Sequence, residues 1–142
     1  MSGDHLSSIM GKMYSMVQVR PIRVLIIDNH EIVRQGLSIL MEVFDDFELV
    51  GEADSGEQGL NLCAAVQPDV VMIEMRLPTI DGLTATRMIT RTYPHIRVVA
   101  MSASEPQASI DAILEAGASG YLVKNVGIDA VAETIRAAAR QP

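Results

Sequence analysis

The sequence has one cysteine, Cys63, in 142 residues. A lone cysteine excludes an intrachain disulfide. With no CxxC pair and no Cys/His cluster, a structural zinc site is excluded too. Basic charge is also scarce: 11 Lys and Arg stand against 18 Asp and Glu, a formal net charge of −7. Nonspecific nucleic-acid binding needs a basic face, so that balance argues against it for this chain. No apolar run of 18 residues and no signal-peptide pattern occur, so no membrane span is expected, and the expected location is cytoplasmic. The chain lacks a GxGxxG dinucleotide loop and a Gly-rich phosphate loop with its lysine. It also lacks internal repeats, low-complexity tracts and charge runs.

What is present is the composition of one globular domain, 49% hydrophobic and 20% charged. A chain of this length buries roughly two-thirds of its unfolded surface. Cys63, between Leu62 and Ala64 on a predicted helix, reads as a small core residue. One stretch organises the rest, from Pro68 to Gly82. Val70 to Ile73 is an unbroken apolar run, the pattern of a strand buried on both faces. It stops on Glu74. A Pro78 turn follows, and Asp81-Gly82 opens a helical pattern with Asp81 as its N-cap.

Residues 1–20 are unlike the remainder. Leu6, Ile9, Met10, Met13, Met16 and Val17 follow helical spacing and could form an extra amphipathic helix, with Asp4 as its cap. The segment could equally be an over-long start, since Met10, Met13 and Met16 could each initiate. The domain proper is expected over 21–142. Pro21 punctuates, and Arg23 to Ile27 reads as a strand ending on Asp28-Asn29-His30. A helix is expected from about 30 to 43, with Ile32, Leu37 and Leu40 supplied mainly to the core. Phe47 to Ala53 alternates as a second strand, and Ser55-Gly56 starts a helix ending near Val66. After the Glu74 strand comes a helix from about 82 to 92, closed before Pro94. Arg97 to Met101 is strand four and delivers Ser102. Ile110, Ile113 and Leu114 mark a helix with Gly117 as its C-cap. Gly120 to Val123 is strand five, delivering Lys124, and Ile128 to Ala139 gives the last helix.

Five strands alternating with five helices through short connections predict an α/β fold. It is a doubly wound five-stranded parallel sheet of order 2-1-3-4-5, flavodoxin-like, with helices on both faces. In such sheets the working groups lie at the carboxyl ends of the central strands. That edge collects Asp28, Glu74, Ser102 and Lys124. Any one of them alone reads as a solvated strand end. Four converging on one cleft point to a site.

From Ile22 to Ala139 these residues resemble a response-regulator receiver domain of two-component signalling. The likeness rests on the acidic turn Asp28-Asn29-His30 and the loop from Met75 to Gly82. It rests also on the pair Ser102-Ala103 and the run from Ala116 to Lys124. The Asp-x-His turn and the Gly-Ala-Ser-Gly-Tyr-Leu-x-Lys run are most similar to the LuxR-type (NarL-like) subfamily of transcription factors. The resemblance implies an aspartate at position 74 that takes a phosphoryl group from a histidine kinase. Mg²⁺ would be held by that residue, by an acidic pair at positions 28 and 29 and by the Arg76 carbonyl. Ser102 and Lys124 would bind the phosphoryl oxygens, and Tyr121 would be the switch aromatic. In-line transfer needs an ionised nucleophile, a divalent ion to offset clustered charge and fixed cations on the equatorial oxygens.

The sequence departs from that pattern at the acceptor and metal positions. Glu74 replaces the expected Asp, carrying its carboxylate roughly 1.5 Å further out, within reach of Lys124 and toward Ser102. Asn29 replaces the second acid, so Mg²⁺ is expected to bind weakly or not at all. The expectation is an atypical receiver with no enzymatic activity of its own. It would act as a regulatory and dimerisation module of a LuxR-type DNA-binding regulator whose output domain is absent from this chain. The last helix is rich in Ala, at Ala130, Ala132, Ala137, Ala138 and Ala139, which permits close approach of another helix. Helices one and five are suggested by the LuxR-type resemblance as the contact of a homodimer, and DNA would be met only through the output domain. The alternative is a working phospho-acceptor, or an engineered mimic of its active state, served by a histidine kinase. FMN binding and haloacid-dehalogenase-like hydrolysis are more distant. His30 is expected to start the helix or pack on the surface, and the Arg76 side chain to face solvent.

Overall fold

The computed structural model describes residues 6–10 and 20–142. Five strands form one parallel sheet: β1 (Ile22–Ile27), β2 (Phe47–Ala53), β3 (Val70–Glu74), β4 (Arg97–Ser102) and β5 (Gly120–Val123). Their order is β2-β1-β3-β4-β5, all pairings parallel, as the alternation of elements predicts. The connecting helices are α1 (Glu31–Val43), α2 (Gly56–Val66), α3 (Gly82–Thr92), α4 (Gln107–Glu115) and α5 (Ile128–Ala139). Residues 6–10 are helical, with Leu6, Ile9 and Met10 exposed. The remaining apolar positions of the expected N-terminal helix, Met13, Met16 and Val17, lie outside the described residues.

Because β1, β3 and β4 are covered on both faces, their side chains feed two cores. On one face Val24, Ile26, Val70, Met72, Val99 and Met101 pack with Leu40 and Met41 of α1 and with Val131, Ala132, Ile135 and Ala138 of α5. On the other, Leu25, Ile27, Val71, Ile73 and Val98 pack with Cys63 of α2 and with Ala85 and Ile89 of α3. Cys63 is fully buried, and burial pushes its thiol up to about 11. It is inert packing, as expected. The approach of α2 is close: a Cβ on Gly59 would lie 2.8 Å from Ile27 Cγ1 and overlap the end of that side chain.

Local signals set the element ends. Asp81 caps α3 by accepting from the Thr84 N–H at 2.8 Å. Ser55 caps α2 by accepting from the Gln58 N–H at 3.2 Å. At the end of α4 the cap residue is Ala116, and Gly117 follows it with φ +106°. The N–H of Gly117 donates to the Leu114 carbonyl and that of Ala118 to the Ile113 carbonyl. This is a Schellman closure with Gly117 at the left-handed position, so the expected cap glycine closes the helix from one residue beyond the cap residue Ala116.

Three expectations need correction. Ile32 is 84% exposed rather than part of the core, and Ile39 and Val43 share its outward face. The core face of α1 is instead Leu37, Leu40 and Met41, offset from the Ile32 stripe. In the Ala-rich last helix, Ala132 and Ala138 are buried against the sheet, and only Ala130 and Ala137 are exposed. In β2 the even alternation is broken by a bulge, since Val24 pairs with Leu49 and Leu25 with Gly51. The unpaired Val50 rotates the strand. Phe47 and Leu49 therefore join the α1/α5 core, and Ala53 joins the α2/α3 core.

Candidate functional site

Parallel pairing brings the carboxyl ends of β1, β3, β4 and β5 to one edge, and the residues that follow them meet there. Asp28 is fully buried. Its N–H continues the sheet by donating to the Ala53 carbonyl at 2.9 Å. Arg34 reaches back from α1 and donates to the Asp28 carbonyl at 2.6 Å. Glu74, the last residue of β3, is also buried. The Lys124 N–H donates to the Ser102 carbonyl at 2.9 Å, extending the β4–β5 ladder by one step and fixing where the lysine departs.

The side chains then converge. Lys124 Nζ lies 2.8 Å from Asp28 Oδ2 and contacts Glu74 Oε2 directly. Neither of those buried oxygens meets an aligned hydrogen-bond donor, so the ammonium holds them by charge. The other oxygens are tied to the main chain: Glu74 Oε1 accepts from the Arg76 N–H at 3.0 Å, and Asp28 Oδ1 accepts from the His30 N–H at 2.8 Å. These contacts border a cavity of about 570 Å³ lined by Asn29, His30, Glu74, Arg76, Ser102 and Lys124, among others. All four strand-end residues picked out from the sequence are thus neighbours. Asn29 is exposed at the rim. Tyr121 is partly buried, and its hydroxyl is buried without a hydrogen-bond partner.

Ser102 does not turn toward Glu74. Its hydroxyl donates to Glu105 Oε1 at 2.9 Å, and the same oxygen accepts from Arg76 Nε at 2.7 Å. Glu105 is nearly buried at its carboxyl end, whereas the Arg76 side chain is largely exposed, as expected. The Arg76 hydrogen bond holds the Glu105 carboxyl below the usual range against the opposing effect of burial, and the Ser102 hydroxyl adds to the lowering. Nothing in the sequence marked Glu105, which lies in an irregular Ser-Glu-Pro segment with no periodicity. His30 was marked, yet assigned to the helix start. It does take the N-cap position of α1 without a capping side-chain bond, and its ring turns into the site instead. His30 Nδ1 lies 2.9 Å from Asp28 Oδ1 and 3.1 Å from Lys124 Nζ.

A family model described as the response regulator receiver domain matches residues 24–136, most of the chain. The chain belongs to that family. Among curated proteins it is 40% identical over 115 residues to the response regulator GacA of Pseudomonas viridiflava, covering 81% of this chain and 54% of GacA. The receiver domain thus spans about half the length of the curated relatives it matches. Among solved structures it is similar to a Mycobacterium tuberculosis signal receiver domain named for the response regulator NarL. That match has a TM-score of 0.82 and 29% identity, covering 87% of this chain and 99% of the other. It is similar too to a LuxR-family two-component response regulator from Aurantimonas sp. SI85-9A1. There the TM-score is 0.80 and the identity 29%, with 84% and 86% covered.

The protein is therefore a receiver domain of the two-component response regulators, a class of signalling modules that are generally not enzymes. Receiver domains bind Mg²⁺ at an acidic pocket, and the corresponding cluster here contains Asp28, Glu74 and His30. No helix among the described residues is long and apolar enough to cross a membrane.

Proposed function

We propose that this receiver works without a conventional aspartyl phosphate, with the Glu74 carboxylate taking over part of what a phosphoryl group would do. The observation that carries this reading is the direct contact between Glu74 and the Lys124 ammonium. Lys124 is the cation that would otherwise meet a phosphoryl oxygen. With Oε1 held by the Arg76 N–H and Oε2 by Lys124, Glu74 has both oxygens engaged. A carboxylate fixed in that way is a poor nucleophile. Tyr121, with its hydroxyl already buried, is the readout residue of this state.

The donors at the site fit Mg²⁺ only poorly. That ion wants near-octahedral oxygen ligands and tolerates little substitution. Here Asn29 brings a neutral side chain and Arg76 only a main-chain carbonyl. The two remaining carboxylates, Asp28 and Glu74, already share the Lys124 ammonium.

The domain serves, in this reading, as the cytoplasmic regulatory and dimerisation module of a LuxR-type DNA-binding regulator, with DNA contacted by a separate output domain. Likeness to a LuxR-family regulator supports that placement. The exposed Ile32, Ile39 and Val43 on α1 support a homodimer contact. A second reading, a working phospho-acceptor fed by a histidine kinase, is favoured by the open cavity that Glu74, Ser102 and Lys124 line together. Acetyl phosphate with Mg²⁺ separates the two. Intact mass should show no phosphoryl adduct, and an adduct mapped to Glu74 would establish the second reading.

A further inference from the structure

Helix α1 carries an apolar stripe that the domain leaves uncovered. Ile32, Ile39 and Val43 fall at helical spacing on one face and are 60% or more exposed. Gly36 lies on the same face between Ile32 and Ile39. Glycine inside a helix destabilises it relative to alanine. A Cβ at Gly36 would meet nothing within 4 Å, so no packing within the domain calls for this one. What it does supply is a notch that lets a second helix come close.

Residues 6–10 form another uncovered stripe. They are helical, and Leu6, Ile9 and Met10 share one face and are at least 40% exposed. We propose that this N-terminal segment docks on the outward stripe of α1, with the Gly36 notch at the centre of the contact. It thereby covers the surface proposed for the homodimer.

Position, reach and charge favour the chain's own segment as the occupant. The Ile22 N–H donates to the Asp46 carbonyl at 2.8 Å, so the N-terminal segment departs beside the end of α1, just past Val43. From Ile32 to Val43 the stripe is about 17 Å long. The chain from Met10 to Ile22 can span up to about 40 Å, which brings every point of the stripe within reach. Tethered docking acts at an effective concentration on the order of millimolar, well above a second copy at micromolar concentration. Exposed Glu31 and Glu42 stand at the two ends of the stripe, and residues 1–20 carry Lys12 and Arg20 against Asp4 alone. By contrast, α3 and α4 each expose one large apolar residue, Met88 and Leu114, and offer no stripe.

As regulation, the inference rests on the homodimer reading: a second copy must displace the segment before two α1 stripes can meet. The experiment places Ile9→Cys and Ile39→Cys together in the full chain and oxidises it at micromolar concentration. Cys63 is buried, its thiol pushed up to about 11, and stays out of the reaction. Intact mass and peptide mapping should show a disulfide within one chain. It should form at least tenfold faster than in Ile9→Cys with Met88→Cys, where the second thiol is exposed on the opposite side of the sheet. Gly36→Gln fills the notch at a position with open space around it, leaves the fold intact and should slow the crosslink at least tenfold. Equal rates for the two cysteine pairs, a disulfide joining two chains, or a rate untouched by Gly36→Gln would each overturn the proposal. Without the cysteine pairs, Leu6→Gln, Ile9→Gln and Met10→Gln together should strengthen self-association at least tenfold in sedimentation velocity. Unchanged self-association would overturn the masking. A chain that stays monomeric throughout would end the homodimer reading instead, and the disulfide would still decide the docking.

Discussion

Gly82 presses on the main chain of Glu74. A Cβ at Gly82 would overlap the Glu74 carbonyl oxygen and lie 2.6 Å from Met75 Cα. Backbone cannot give way as a flexible side chain can, so Gly82→Ala must displace either the start of α3 or the end of β3. Overpacking of this kind costs about 1–3 kcal/mol, and the rigid neighbour places this case near the top of that range. Urea unfolding of the variant should show a lowered midpoint with an unchanged slope. An unchanged midpoint would mean that α3 shifts freely.

Glu105 should report on the loop after β4 through its titration. Its carboxyl is held below the usual range chiefly by Arg76. A depressed acid contributes stability above its unfolded value of about 4.3, and that contribution is lost as pH falls through the lower folded value. The loop should therefore loosen only in acid. Arg76→Ala should move the Glu105 titration upward, so that loosening begins at higher pH. Side-chain carboxyl NMR across an acid titration measures both effects. Identical curves in the two proteins would remove Arg76 as the cause.

Restoring the expected acids should restore phosphorylation in steps. Glu74→Asp shortens the side chain by one methylene, withdrawing it from Lys124, and should give slow labelling by acetyl phosphate in Mg²⁺. Adding Asn29→Asp supplies a second charged oxygen to the ion and should raise the rate at least tenfold further. The two changes act on one cation site, so their combined effect should exceed the sum of the single effects. Purely additive rates would place Asn29 outside the metal site.

Homodimer formation should depend on the outward stripe of α1. Ile39→Glu puts a charge in the middle of Ile32, Ile39 and Val43 without touching the core, since Ile39 is 60% exposed. Sedimentation velocity should show self-association of the unmodified chain at high concentration and a monomer for the variant. Self-association that survives in Ile39→Glu would put the contact elsewhere.

Strands were easy to read in this sequence because β1, β3 and β4 are buried on both faces and appear as unbroken apolar runs. The residues at their carboxyl ends, Asp28 just past β1 and Glu74 and Ser102 closing β3 and β4, could then be placed on one edge from connectivity alone. The β2 bulge could not be read. Phe47, Leu49, Gly51 and Ala53 alternate evenly whether or not Val50 is unpaired, and only the register with β1 reveals the change of face. Ile32 misled for a related reason. Ile32 and Val33 are adjacent apolar residues at a helix start, and the period permits either to face inward. At the site, pairings set by backbone connectivity were foreseeable, Glu74 with Lys124 among them. Those set by loop conformation were not, which is why Glu105 took the Ser102 hydroxyl unannounced.

The tight seating of Gly59 on Ile27 and of Gly82 on Glu74 makes the domain unequally stiff. On that flank, α2 and α3 lie so close to the sheet that neither can slide without atoms overlapping. On the other side of the cavity the segment from Ser102 to Glu105 is fastened by polar contacts that can trade one partner for another. A push delivered at Glu74 therefore meets a wall on one side and a spring on the other. Displacement should meet least resistance on the compliant side, along the segment from Ser102 to Glu105.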